Sequence, residues 1–120
     1  SFIEECKRSP QIIIFGAGKM GRKIKNLLEA EGIYNILGFA VSNDAEDYKI
    51  GNYNVWHINK YKEYRESALI IMATVKEHYK TEMKSILREA DFLNICQTDL
   101  KRWCKLVDFM SDENYCYYFR

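Results

Sequence analysis

Three glycines supply the chemistry that the sequence indicates most directly. Gly16, Gly18 and Gly21 have the spacing G-x-G-x-x-G and separate an apolar run from an amphipathic segment. Glycines at such a bend leave backbone N–H groups uncovered, and the first N–H groups of the following helix have no partner within that helix. Amide hydrogens in this arrangement hold phosphate groups. The spacing therefore predicts a nucleotide-binding loop with the sequence Gly16-Ala17-Gly18-Lys19-Met20-Gly21.

Each glycine of this loop has its own expected task. Gly16 permits a tight turn out of a strand, Gly18 lets the backbone approach a pyrophosphate, and Gly21 lets the helix pack close to the sheet. The motif carries weight here because a strand pattern precedes it, a helix pattern follows it, and a second strand comes about 20 residues later. The alternative is that the glycines serve only the packing of strand against helix, around an empty or vestigial site.

Apolar runs predict where the strands lie. Short, continuously apolar runs are typical of strands buried on both faces of a parallel sheet. Such runs lie at 12–15 and 68–74, and further strands are predicted at 36–41, 54–57 and 92–96. Their alternation with helical patterns predicts an α/β fold, a doubly wound Rossmann-like parallel sheet of about five strands. The expected strand order is 3-2-1-4-5, with helices on both faces.

Apolar stripes and capping signals predict the helices. The first helix is expected from about residue 18 to residue 30 and a short one at 58–66. Thr74 and Glu77 have the spacing of a capping box, which predicts that a long helix begins directly after the fourth strand. Residues 97–120 are expected to form a last helix and an aromatic tail.

The edge of the sheet beyond strands one and four is the expected position of a ligand. Strand order reverses there, and ligands of doubly wound sheets bind at such a point. Thr74, Val75 and Lys76 follow the fourth strand, so they are predicted to face the glycine loop across the crevice. Lys76 would meet a phosphate. His78 would reach the ligand from the first helical turn, or it is simply an exposed helix residue.

The residues after the second strand predict how a ribose is held. Asn43 and Asp44 lie where a dinucleotide fold places the residue that contacts the adenosine ribose. No arginine lies in this loop, and Glu46 and Asp47 follow, which disfavours the 2′-phosphate of NADP. The alternative is that Asn43 and Asp44 only form a turn.

Length and charge exclude several function classes. With 120 residues the chain is one domain, 1–120, too short for a Rossmann domain plus a full substrate domain. A net charge of +1 predicts no partner among nucleic acids. No run is apolar and long enough for membrane insertion, and no secretory signal opens the chain, so we expect a cytoplasmic protein. The chain begins with Ser1 rather than Met, which suggests a piece of a longer protein.

The cysteines predict reduced thiols rather than a metal site. They lie at positions 6, 96, 104 and 116 and include no C-x-x-C pair. Neither histidine joins them at a zinc-like spacing, so we expect no metal. The alternative is a site built from Cys96, Cys104 and a distant histidine.

The sequence resembles a known kind of small Rossmann domain attached to bacterial surface-polysaccharide enzymes. The resemblance covers about residues 11–96 and rests on the runs IIIFGAGKMGRKIKNLL, NVWHINKYKEY and ALIIMATVKEHYKTEMKSIL. Such domains occur in sugar epimerase/dehydratases, beside glycosyltransferases, and at the front of sugar O-acyltransferases. The resemblance implies that residues 16 and 18–21 bind phosphate, that Asn43 or Asp44 contacts a ribose, and that Thr74 and Val75 lie over the crevice. Many members of that kind of domain carry a clear aspartate at the ribose position, whereas this chain has Asn43 or Asp44 there.

Three functions follow as hypotheses. The first is a non-catalytic or partial-site domain that holds NAD(H) or a nucleotide-sugar for a catalytic domain of the same chain. The second is the UDP-sugar-binding N-terminal domain of an acyltransferase, and the third is a cofactor-sensing regulatory domain. No Tyr-x-x-x-Lys pair is present and no catalytic residue is predicted, so we expect the domain not to be catalytic alone but to be part of a nucleotide-sugar-modifying enzyme or glycosyltransferase. The aromatic residues at 115–119 suggest association into a homo-oligomer.

Overall fold

A computed structural model describes residues 1–44 and 47–100. The elements run in the order α1 (Phe2–Arg8), β1 (Gln11–Phe15), α2 (Lys19–Ala30), β2 (Ile36–Val41), β3 (Tyr48–Ile50), β4 (Tyr53–His57), a 3-10 helix (Ile58–Tyr64), β5 (Ala68–Met72) and α3 (Glu77–Glu89). No described helix has the length and apolar character needed to cross a membrane. The aromatic tail and nearly all of the last helix predicted at 97–120 lie outside the described residues.

One sheet organises the described part of the chain. Its order is β3-β4-β2-β1-β5. The strand β1 pairs in parallel with β2 on one side and β5 on the other, and β2 pairs in parallel with β4. The predicted α/β class is therefore confirmed, and strand order reverses at β1.

The two edges of the sheet differ from the prediction. The predicted fifth strand at 92–96 pairs with β5 only through one parallel bridge between Ile70 and Ile95. At the other edge, the polar segment between the second and third predicted strands contains β3, which pairs antiparallel with β4. The turn between β3 and β4 is made possible by Gly51, whose φ of +60° suits glycine.

The helices were predicted with mixed success. The first predicted helix is α2, and it begins one residue later than expected. The capping box was wrong: Lys76 is the N-cap of α3, while the Thr74 hydroxyl accepts a hydrogen bond from the Lys76 N–H at 3.2 Å. Because Thr74 binds an amide only two residues away, it cannot cap the helix, which starts at Glu77. The short helix predicted at 58–66 is the 3-10 helix.

The sequence did not predict α1. This helix has Ser1 as its N-cap, whose hydroxyl accepts from the Glu4 N–H at 3.3 Å. Its two fully buried side chains, Phe2 and Cys6, lie one turn apart. Three apolar residues in seven, Phe2, Ile3 and Cys6, give too weak a periodicity to distinguish a helix from a polar leader.

Alternate residues of β1 enter two separate cores. Ile12 and Ile14 pack in the core beneath α1 and α2, whereas Ile13 and Phe15 pack in the core beneath the 3-10 helix and α3. Helices therefore cover both faces of the sheet, as a doubly wound fold requires. This burial on both faces fixes the end of β1, where the glycine loop begins.

Candidate functional site

The bend at Gly16 fixes the start of the glycine loop. Gly16 follows β1 directly with a φ of +119°, a conformation that side-chain-bearing residues rarely adopt. Its N–H donates to the Ala40 carbonyl oxygen in β2 at 2.8 Å. A Cβ at this position would lie 3.2 Å from the Ala73 Cβ and 3.7 Å from the Met83 Cε. Gly16 is thus bordered by β2, by the residue that follows β5 and by α3.

Gly21 locks the first turn of α2 onto this bend. Gly21 is buried, and a Cβ here would lie 2.1 Å from the Gly16 carbonyl oxygen. No side chain fits at that distance, so close packing of helix on loop depends on glycine, as the sequence predicted.

Gly18 differs from the other two glycines. It is exposed, it has φ −86° and ψ −157°, and a Cβ here would meet no atom within 4 Å. Its backbone conformation is open to any residue, and nothing in the described part of the chain crowds it. Gly18 is also the N-cap of α2, without a side-chain hydrogen bond to the helix amides. The amides at the start of α2 therefore face an open space.

Positive charge accumulates at this end of α2. The first turn contains no acidic residue, and Lys19 and Arg22 are exposed beside it. The helix dipole adds about half a positive charge at the same end. By contrast, α1 carries Glu4 and Glu5 in its first turn, the arrangement that the dipole favours. An anion at the start of α2 would offset both sources of positive charge.

The remaining predicted site residues lie at the same edge of the sheet. Asn43 and Asp44 follow β2, and the segment 74–76 follows β5. Since β2 and β5 flank β1, the segment after β2 lies on one side of the glycine loop and the segment after β5 lies on the other. Asn43 and Asp44 are exposed, whereas Asp47 pairs with Lys60. Asn43 lies in a bend, so the structure also accommodates the alternative that this segment is only a turn.

The segment after β5 closes the opposite side of the loop. The Ala73 N–H donates to the Phe15 carbonyl oxygen at 2.9 Å, which extends the pairing of β1 with β5 towards the loop. Val75 packs against the core beneath α2, and Lys76 is exposed. The Lys76 ammonium lies 5.6 Å from the centre of the Tyr79 ring.

Two residues of the long helix α3, which the sequence analysis did not name, lie towards the glycine loop. Met83 reaches the bend at Gly16, and Tyr79 lies one turn earlier in α3 with 44% of its surface exposed. The signal that could have singled out Tyr79 is its position: it is the stripe residue nearest the carboxyl edge of the sheet. Stripe residues further along the helix are covered by the sheet, whereas the first one extends past it.

His57, Cys6 and Cys96 offer little chemistry to this site. The His57 Nδ1 accepts from the Asn59 N–H at 3.1 Å and so caps the 3-10 helix. Burial raises the pKa of the Cys6 thiol to about 12 and also raises the pKa of Cys96, so both thiols stay protonated and weakly nucleophilic. In the described ranges, no group of three or more His, Cys, Asp or Glu side chains could hold a metal ion.

Comparison with known proteins supports the fold. No family model and no curated protein matches the sequence. Chains of solved structures do match. The crystal structure of RSP, a Rex-family repressor, superimposes with a TM-score of 0.57 at 18% identity. The match covers 97% of this chain and 65% of the RSP chain, so this chain spans about two thirds of that protein.

The chain has a Rossmann-like α/β fold. At 18% identity the likeness establishes architecture alone. It lends no support to an origin among surface-polysaccharide enzymes, which stays a prediction from the sequence resemblance.

Proposed function

We propose that the chain is a regulatory binding module whose glycine loop holds the diphosphate of NAD(H). Gly18 carries the proposal, because it lacks a side chain where neither the backbone nor the packing of the described residues requires glycine. Serine, asparagine and aspartate are at least as good as glycine at a helix N-cap. A diphosphate that must approach the amides of α2 accounts for the missing side chain.

Charge and the ribose segment support NAD(H) over NADP(H). The Asp44 carboxylate is exposed at the end of β2, where it would accept from a ribose hydroxyl and repel a 2′-phosphate. The described residues between β2 and β3 include no arginine or lysine that would neutralise a 2′-phosphate.

The comparison supports a regulatory role over a catalytic one. The similar structure is that of a repressor, which is a regulatory protein. In the described part of this site, no hydrogen bond joins a nucleophilic side chain to a basic one, and the Thr74 hydroxyl accepts from the Lys76 N–H. A nucleotide-sugar is the second ligand class, because its diphosphate would meet the same amides. The hypothesis that the domain supplies this ligand to a catalytic domain of the same chain rests only on the resemblance to surface-polysaccharide enzymes.

Isothermal titration calorimetry with the wild type and Gly18→Asp tests the proposal. An aspartate at position 18 would hydrogen-bond to the helix amides itself and repel a diphosphate. We expect NADH to bind the wild type more tightly than NADPH or UDP-glucose, and the variant to bind NADH at least about 100-fold more weakly. The thermal midpoint of the variant should equal or exceed that of the wild type, because aspartate is a better N-cap than glycine.

Asn52→Asp is the matched control. Asn52 is exposed and lies in the turn between β3 and β4. This variant adds the same charge away from the loop and should bind NADH like the wild type. If the wild type binds UDP-glucose more tightly than NADH, the ligand of the loop is a nucleotide-sugar rather than a dinucleotide. Unchanged NADH binding by Gly18→Asp would refute the glycine loop as the site.

A further inference from the structure

Tyr79 is an aromatic side chain left uncovered in the stripe of α3 that packs on the sheet. Met83 and Leu87 belong to the same stripe and pack in the core beneath α3. Tyr79, by contrast, has 44% of its surface exposed. The His78 ring lies 4.0 Å from it, centre to centre, and the Lys76 ammonium lies 5.6 Å from its centre.

The position of Tyr79 relative to the glycine loop follows from helix geometry. The Met83 Cε lies 3.7 Å from the point where a Cβ on Gly16 would be, so the middle of α3 touches the bend. Tyr79 precedes Met83 by four residues, or about 6 Å along the helix axis. Because α3 begins at the carboxyl edge of the sheet, this step carries Tyr79 past the edge, beside the mouth of the loop.

We propose that the second nucleoside of a dinucleotide held by the glycine loop stacks its aromatic ring on Tyr79. The inference rests on the proposed function and adds the residue that distinguishes a dinucleotide from a shorter ligand. If the first ribose lies beside Asn43 and Asp44, after β2, the other half of the ligand extends towards β5 and the start of α3. In NAD(H) that half carries the nicotinamide ring.

Lys76 makes this arrangement compatible with a charged ligand. A cation over an exposed ring is held weakly, so a ligand ring can take its place. The long side chain of Lys76 is exposed and can turn to the diphosphate. The ring then gains a neutral aromatic neighbour, and the ammonium gains an anionic one.

Titrations with NADH and ADP-ribose test this inference. ADP-ribose keeps the adenosine and the diphosphate but lacks the nicotinamide. We expect Tyr79→Ala to bind NADH about tenfold more weakly and ADP-ribose as tightly as the wild type does. Tyr79→Phe keeps the ring and should bind NADH normally. Tyr48→Ala is the matched control, because Tyr48 has 45% of its surface exposed and lies on the far edge strand β3.

The possible outcomes separate this inference from the proposed function. If Tyr79→Ala binds NADH as tightly as the wild type does, the stacking alone is overturned. The stacking is also overturned if the variant loses equal affinity for NADH and for ADP-ribose. Failure of the wild type to bind either compound overturns both proposals. Alanine at an exposed helix position favours the helix, so lost binding will not reflect unfolding, and circular dichroism checks this.

Discussion

Gly21 sets the distance between α2 and the end of β1. A Cβ added at Gly21 would lie 2.1 Å from the Gly16 carbonyl oxygen, so a single methyl group would overlap that oxygen. Gly16 and Gly21 therefore belong to the architecture, whereas no described atom near Gly18 requires glycine there. At the scale of single residues, the packing tasks of Gly16 and Gly21 could be predicted from their spacing, because each need is local. The ligand-binding task of Gly18 stays a prediction.

Gly21→Ala should destabilise the fold severely. Relieving the contact requires a movement of backbone, so we expect a loss of about 3 kcal/mol or more in the free energy of unfolding. Urea denaturation followed by circular dichroism measures it. Gly18→Ala is the comparison, with a loss of about 1 kcal/mol or less because the position is open. Similar losses for the two variants would contradict the different roles assigned to these glycines.

Asn35 joins two elements that the sequence could not connect. Its side-chain amide donates to the Ser9 carbonyl oxygen at 2.6 Å and to the Cys6 carbonyl oxygen at 3.3 Å, which are carbonyl groups at the end of α1. Its own carbonyl oxygen accepts from the Ile12 N–H at 2.9 Å. One asparagine thus holds α1, β1 and the start of β2 together.

Asn35→Asp should weaken this junction with almost no change in shape. The substitution removes both donated hydrogen bonds and places a negative charge beside the negative end of α1, so we expect a loss of about 2 kcal/mol. Chemical denaturation at pH 7 measures it. Asn52→Asp, at an exposed position, should change stability by about 0.5 kcal/mol or less. An unchanged denaturation midpoint for Asn35→Asp would show that the two contacts contribute nothing.

Element prediction succeeded where the local signal was strong. The strand β5 is continuously apolar, as is β1 after Gln11, and α2 has a complete apolar stripe, so their type follows from their own residues. The bridge at Ile95 depends on a partner distant in the chain, and α1 is tied to the distant Asn35. The strand β3 pairs with the adjacent β4, but its three residues are mostly exposed and give a weak strand signal. The exposure of Tyr79 could not be predicted because it depends on where the sheet ends beneath α3.

At the scale of the whole molecule, buried proton donors set an alkaline limit to stability. Burial and a hydrogen bond to Glu29 raise the pKa of Tyr53 to about 12, and burial raises the pKa of Tyr61 to about 12. Burial raises the pKa of Cys6 to about 12 as well. In the unfolded chain these groups titrate near 10.0 for tyrosine and 9.0 for cysteine. The fold thus favours the protonated forms, and this stabilisation is present in full below about pH 9.

The free energy of unfolding should be level near neutral pH and fall as pH rises from about 9 towards 12. Urea denaturation at pH 7, 9 and 10.5 measures it. Tyr61→Phe should lose stability at pH 7, because the Tyr61 hydroxyl donates to the Phe39 carbonyl oxygen at 3.0 Å. Its disadvantage should shrink above pH 10, since phenylalanine does not titrate. An equal disadvantage at every pH would contradict this account.

The open space beside Gly18 also has an evolutionary consequence. Among chains that share this architecture, drift at positions 16 and 21 is blocked by the fold itself, whether or not anything is ever bound. Position 18 is under no such restraint and would fill with ordinary residues within a lineage that lost its ligand. The residue at position 18 therefore indicates which related chains retain a binding site.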